Sequence, residues 1–321
     1  MPEKRLSILI TVHNETLQDV YPLLTSLAAQ QRVDWEDIEV LMFNDGGSFN
    51  YSKLDMQLPF RIHYVKHGKK GVALNRQELL KNATGKYVMF CDADDSFYQV
   101  NALYLIIKQI EADFKVLVSC FFEEVYLPDT KEYIFIPHSE DKVFIHGKVY
   151  NRQFLVNNSI NWIDVCPCED SYFNKLALAI AGEMKYIQDP LYLWKYRANS
   201  IVRSDLYNWE FDSHVKAIAA QSILVDELIN RGLLGNARYE ILYQILQTYF
   251  AVHSQRWFER ESALKKTEKV IGSFIKTYQD YIQSIDENFI KKMFDANLDA
   301  YKQRGFIETE SLSQWLERIK Q

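Results

Sequence analysis

Cysteine is scarce: Cys91, Cys120, Cys166 and Cys168 are the only thiols in 321 residues. So few in a chain this long exclude a disulfide framework, and Cys166-Pro167-Cys168 has no second thiol pair to complete a zinc site. The thiols read as reduced and the compartment as cytoplasmic. No apolar run approaches the ~20 residues that a membrane span requires. Leu6 to Ile10 is too short for the core of a signal peptide and lacks a small-residue cleavage site. Positive charge is not in excess either, with Lys+Arg 37 against Asp+Glu 43 and a net charge of -6. Nothing general therefore draws the chain to nucleic acid or anionic lipid, and nucleic acid is disfavoured as a partner. Internal repeats and low-complexity stretches are missing, and no proline follows Pro190.

What is present is the material of a large core. Hydrophobic residues make up 48% and aromatics 14%, with 20 Tyr and 19 Phe. At ~150 residues per domain the length suggests two domains. Up to about residue 125 the pattern alternates. Strand-like runs at Leu6 to Val12, Ile38 to Phe43, Arg61 to Lys66, Lys86 to Cys91 and Val116 to Phe122 are separated by helical spacing at Thr16 to Gln31, Gly71 to Asn82 and Asn101 to Asp113. This is the pattern of an α/β, Rossmann-like, mostly parallel sheet covered by helices on both faces. Further on, Tyr133 to Ile136 and Lys142 to Ile145 read as short strands, and Gly147 to Val156 and Ser171 to Ala181 as short helices. After that the periodicity is helical over Phe211 to Arg231, Ala237 to His253 and Ser262 to Ile282. From Tyr207 onward 15 Lys and Arg stand against 16 Asp and Glu, so this segment is nearly neutral. The expected division is 1–206 and 207–321, the second part serving acceptor recognition or self-association.

In a parallel sheet ligands bind beyond the carboxyl ends of the strands. The polar clusters fall there: His13-Asn14-Glu15, Asn44-Asp45 and Asp92 to Asp95. Three carboxylates within Asp92-Ala93-Asp94-Asp95 repel one another, and a divalent cation is the usual relief. A solvated turn capping the next helix is the other reading. Asp45 before Gly46-Gly47 suits turn chemistry as well as recognition of a base N–H. Asp170 in Glu169-Asp170 suits a helix cap or a general base. Arg76, Lys148, Arg197 and Arg203 suit phosphate oxygens or plain surface. His13, His138 and His146 read as satisfied loop residues. Tyr98 and Trp194 read as core or as sugar-stacking rings.

Taken together these elements resemble the family 2 inverting nucleotide-sugar glycosyltransferases of GT-A fold. Ser7 to Glu15 resembles their first strand and loop. Asn44-Asp45-Gly46-Gly47-Ser48 resembles their Asp-Asp-Gly-Ser turn, with Asn for the first acid and one extra glycine. Gly71 to Gln77 matches their Gly-x-x-x-Ala-Arg-Asn at the glycine and arginine. Ala83 to Asp95 is close to Ala-x-Gly-x-Tyr-x-x-Phe-x-Asp-x-Asp-Asp. His146 to Tyr150, Glu169-Asp170 and Tyr192 to Ile201 complete the order through about residue 205.

The resemblance implies a metal-dependent inverting transfer of a hexosyl or N-acetylhexosaminyl group from a nucleotide sugar, most often a UDP-sugar, to a glycan or other hydroxyl acceptor. It assigns Asp170 as the general base and Asp94 with Asp92 as ligands of Mn²⁺ or Mg²⁺. Thr11, His13, Asn14, Glu15, Asp45, Arg76, Asp92, Ala93, Asp94, Lys148 and Arg197 are its donor-binding set. Loss of catalysis, leaving an interaction module that acts through the helical part, is the competing reading. A homodimer through those helices is a further expectation.

Overall fold

A computed structural model describes residues 4–51, 58–165, 167–198, 206–254, 257 and 260–320. Arg203 and Cys166 lie outside the described residues. The chain divides into two compact units, Met1–Ser200 and Ile201–Gln321.

In the first unit the described residues form one nine-stranded mixed sheet. Its path runs β3 (Ile62–His67), β2 (Ile38–Asp45), β1 (Leu6–Val12), β4 (Tyr87–Asp92), β8 (Lys148–Asn151), β6 (Val116–Leu127), β9 (Lys185–Trp194) and β5 (Ser96–Phe97), with β7 (Glu132–His138) paired to β6. β1, β2, β3 and β4 are mutually parallel. β8 is antiparallel to both β4 and β6, and β9 runs parallel to β6. The carboxyl ends of β1, β2, β4, β6 and β9 therefore share one edge.

Alternation along the strands explains the two covered faces. Met89 and Cys91 join a core with Leu23 and Leu24 of α1 (Leu17–Ala28) and Leu103 and Ile106 of α3 (Ala102–Ile110). Phe90, between them, meets Trp162 and Phe173 of α5 (Glu169–Ala181) at 5.1 and 5.8 Å. α2 (Val72–Asn82) follows β3 and fixes Phe43 through Asn75, whose Nδ2 donates to the Phe43 carbonyl at 2.9 Å.

Three elements differ from the sequence reading. Gly147 to Val156 is not one helix: β8 ends at Asn151, whose side chain caps α4 (Arg152–Asn157) by accepting from Phe154 N. Lys142 to Ile145 forms bends rather than a strand. β9 is a ten-residue strand that the pattern does not announce, because Pro190 lies inside it and its register on β6 shifts at Cys120.

In the second unit α6 (Leu206–Asn230), α7 (Leu234–Val252), α8 (Glu261–Thr277), α9 (Gln279–Gln283), α10 (Glu287–Gln303) and α11 (Leu312–Ile319) close around their own core. Tyr249 lies 5.5 Å from Trp315, and Phe250 stacks on Tyr301 at 4.5 Å. Gly272 of α8 passes so close to α11 that a Cβ there would meet the Ile319 carbonyl at 2.8 Å. None of the helices is long and apolar enough to cross a membrane among the described residues.

Candidate active site

The loop after β2 shows why two glycines stand together. Gly46 has φ +76, a left-handed conformation that favours glycine. A Cβ on Gly47 would sit 1.2 Å from the His13 carbonyl oxygen, so the backbone alone fits between the ends of β1 and β2. Asn44 braces the turn, accepting from Gly47 N at 2.7 Å and donating to the Phe49 carbonyl at 2.8 Å. Asp45 binds the loop beyond β3, accepting from Lys70 N at 2.6 Å and Gly71 N at 2.9 Å. His13 meets the Asp45 carbonyl through Nδ1 at 2.7 Å.

The acidic turn lies at the centre. Thr11 Oγ1 reaches Asp92 Oδ1 at 3.5 Å, and Ala93 is buried in the core behind it. Arg76, itself buried, is the hub. Its Nη2 donates to Asp92 Oδ1 at 2.8 Å, and its Nη1 pairs with Asp170 and lies 3.5 Å from Glu169 Oε1. Trp162 covers the guanidinium at 4.9 Å. Burial pushes the Asp92 carboxyl up, but Arg76, His146 and Thr11 together pull it down and the net direction is down. Asp170 goes the other way: burial raises it to about 7 against the pull of Arg76.

Asp94 is held by a second arginine. Arg197 Nη1 donates to Asp94 Oδ2 at 2.9 Å and to Glu15 Oε1 at 3.0 Å. Burial and the charge of Asp92 push Asp94 to about 6, with Arg197 opposing. Asn14 stands exposed on the same loop as Glu15. Asp95 points inward, accepting from Tyr192 OH at 2.9 Å and Lys195 N at 3.0 Å. Burial, then Asp94 and Asp92, hold its carboxyl well above the ordinary value.

Lys148 takes a different place from the one its motif suggests. It is fully buried and donates to Asp141 Oδ1 at 3.0 Å and to the Phe144 carbonyl. His146 also departs from the sequence reading. It is buried, its Nδ1 has no hydrogen-bond partner, and that atom lies 3.4 Å from Asp95 Oδ2. Ligand atoms of Asp92, Asp95 and His146 lie within 4.8 Å of one another. No metal-like spacing marks His146 in the sequence; only its place before Gly147-Lys148, after a bend, brings it beneath the acidic turn. Trp194 packs on His146 at 5.0 Å, whereas Tyr98 is exposed.

Hard oxygen donors fit Mn²⁺ or Mg²⁺. The Asp92 and Asp94 side chains, 31% and 25% exposed, offer them at the strand ends.

Comparison with known proteins bears on the fold and the family. Residues 7–164 match the family model "Glycosyl transferase family 2". The chain is 24% identical to the glycosyltransferase GlyA of Streptococcus pneumoniae over 79% of its own length and 37% of that protein's. It is 22% identical to the putative glycosyltransferase EpsH of Bacillus subtilis over 79% of this chain and 76% of that one. A crystal structure of S. aureus TarS superposes with a TM-score of 0.61 at 16% identity, covering 93% of this chain and 54% of TarS. TarS in complex with UDP-GlcNAc superposes at 0.52 with 17% identity, over 85% and 92%. The chain thus spans little more than a third of GlyA and about half of TarS. The chain has a GT-A sheet with added C-terminal helices, and within it residues 7–164 form a domain that matches glycosyl transferase family 2.

Proposed function

We propose that the protein transfers a sugar from a nucleotide-sugar donor to an acceptor hydroxyl, with inversion, using Asp170 as general base. The observation that carries this reading is the Arg76 bridge. It sets a carboxylate whose pKa burial raises to about 7 beside the acidic turn of β4, on the edge where the parallel strands end. A base with a pKa near the working pH is the efficient one for taking a hydroxyl proton.

Asp92 and Asp94 would hold Mn²⁺ or Mg²⁺, which supplies Lewis-acid neutralisation of the departing diphosphate. Arg197, already at Asp94, is the cation placed to meet diphosphate oxygens. Asp45 keeps lone pairs beyond those taken by Lys70 and Gly71, enough to accept a base N–H. Uracil is the base of choice because a TarS structure of related fold contains UDP-GlcNAc. Buried free thiols at Cys91 and Cys120 fit a reducing, cytoplasmic setting.

A thermal-shift panel of UDP, GDP, CDP, ADP and dTDP, with and without Mn²⁺, tests the reading. Ligand that binds the native state raises the melting temperature. A Mn²⁺-dependent shift with one diphosphate is expected, UDP first. Silence across the panel would overturn the donor site and with it the enzyme.

A further inference from the structure

We propose that the β6–β7 hairpin carries an acceptor subsite for an uncharged saccharide, which lies along one aromatic face of the hairpin. This rests on the sugar-transfer reading above. Alternation puts Phe122, Glu124 and Tyr126 on one face of β6, and their register partners on β7 are Pro137, Phe135 and Tyr133. Two rings from neighbouring segments extend the row. Tyr98 lies 4.8 Å from Phe122, which lies 6.2 Å from Phe135. At the other end Tyr126, Tyr133 and Tyr196 form a triangle with centroids 5.1, 5.6 and 6.0 Å apart. Tyr133 is 53% exposed, Phe135 48% and Tyr98 47%. Rings gathered this closely yet left half open to solvent present flat apolar surface with hydroxyl tips.

Three observations select the occupant. The row is continuous with the reaction site: Tyr196 precedes Arg197, whose guanidinium bonds Asp94, and Tyr196 N donates to Glu124 Oε2 at 3.0 Å. The hairpin is acidic, with Glu123, Glu124, Asp129, Glu132 and Glu140 against Lys131 between residues 121 and 140, so a phosphodiester polymer or an anionic lipid surface is repelled. Pro137 removes a donor from β7, which blunts this edge strand against pairing with another chain. A neutral pyranose answers all three conditions. One of its faces is C–H surface that covers an aromatic ring, and its rim of hydroxyls meets tyrosine hydroxyls and carboxylates without a charge penalty.

The test uses the full chain with UDP and Mn²⁺ on immobilised neutral gluco-, galacto- and chito-oligosaccharides, with a glycerol phosphate oligomer as the anionic probe. Tyr133→Ala and Phe135→Ala are compared with Val156→Ala, an exposed apolar residue elsewhere. The expected result is capture on at least one neutral oligosaccharide. That capture should be weakened about fivefold or more by either hairpin variant, the loss typical of removing one contact aromatic, and unchanged in Val156→Ala. Capture on the phosphate oligomer alone, no capture on any neutral oligosaccharide, or capture indifferent to the two variants would overturn the subsite. So would a change of oligomeric mass in Tyr133→Ala, which would make the row a protein interface. The UDP melting shift, run alongside, separates the two failures. A shift without saccharide capture sinks only the subsite, and no shift sinks the sugar-transfer reading itself.

Discussion

Asp170 and Asp92 share one guanidinium and burial raises both, yet the net directions part: Asp170 rises to about 7, while Arg76, His146 and Thr11 together bring Asp92 down. Transfer should therefore rise with pH through about 7 as Asp170 loses its proton, then level off, in a pH–rate profile. The same group acts on folding with the other sign. An acid whose folded pKa exceeds its unfolded one stabilises the fold below the unfolded value, and that contribution is lost as pH climbs through about 7. Asp170→Asn should cut transfer about a thousandfold, within the range for a general base, and leave the UDP melting shift in place. Asp94→Ala should abolish the Mn²⁺-dependent part of that shift along with transfer. Arg76→Met leaves Asp92, Asp170 and Glu169 around a vanished charge. Breaking a buried pair this way costs roughly 3–5 kcal/mol, readable as a lower urea midpoint. The acids were legible in the sequence because they sit at strand ends in recognisable order. Arg76 as their common partner was not, since it is 16 residues from Asp92 and 94 from Asp170 and only α2 and α5 packing on one sheet brings them together.

At the level of elements, the β1–β2 edge depends on a glycine pair. Neither glycine of the pair admits a side chain, and Gly47 least of all: Gly47→Ala puts a Cβ 1.2 Å from the His13 carbonyl oxygen. The strand ends must part to admit it, at a cost of about 3 kcal/mol on the scale of overpacked interiors. Lower thermal stability together with a weakened UDP shift is the expected outcome, because the same turn carries Asp45 and His13. The strands with continuous apolar runs, β1, β2 and β4, could be read directly. β8 could not, because its four residues merge into α4 unless Asn151 is recognised as a cap. β9 is hidden by Pro190 and an irregular register, both costs of setting Tyr192 and Lys195 against Asp95. Lys148 illustrates the same limit, since a motif lysine and a buried lysine read alike until Asp141 is seen beneath it.

On the scale of the whole molecule, the sheet core runs from Leu6 to Tyr192, inside the first unit, and the helical unit has its own aromatic core. A chain ending at residue 206 should accordingly unfold cooperatively and keep the Mn²⁺-dependent UDP shift, as calorimetry would record. If the helices mediate self-association, light scattering should give the full chain twice its monomer mass and the shortened chain once. The order of assembly follows from the strand path. β5 and β6 pair with β9, whose residues come some 70 to 100 positions later and carry the Tyr192 and Lys195 donors to Asp95. Pairings this distant in sequence close late and slowly. On the ribosome, the first 180 residues emerge with the acidic turn lacking those two donors and one flank of β6 open. Nascent chains stalled just before Lys185 should therefore recruit chaperones and be cut readily by proteases. Chains released after Trp194 should resist both.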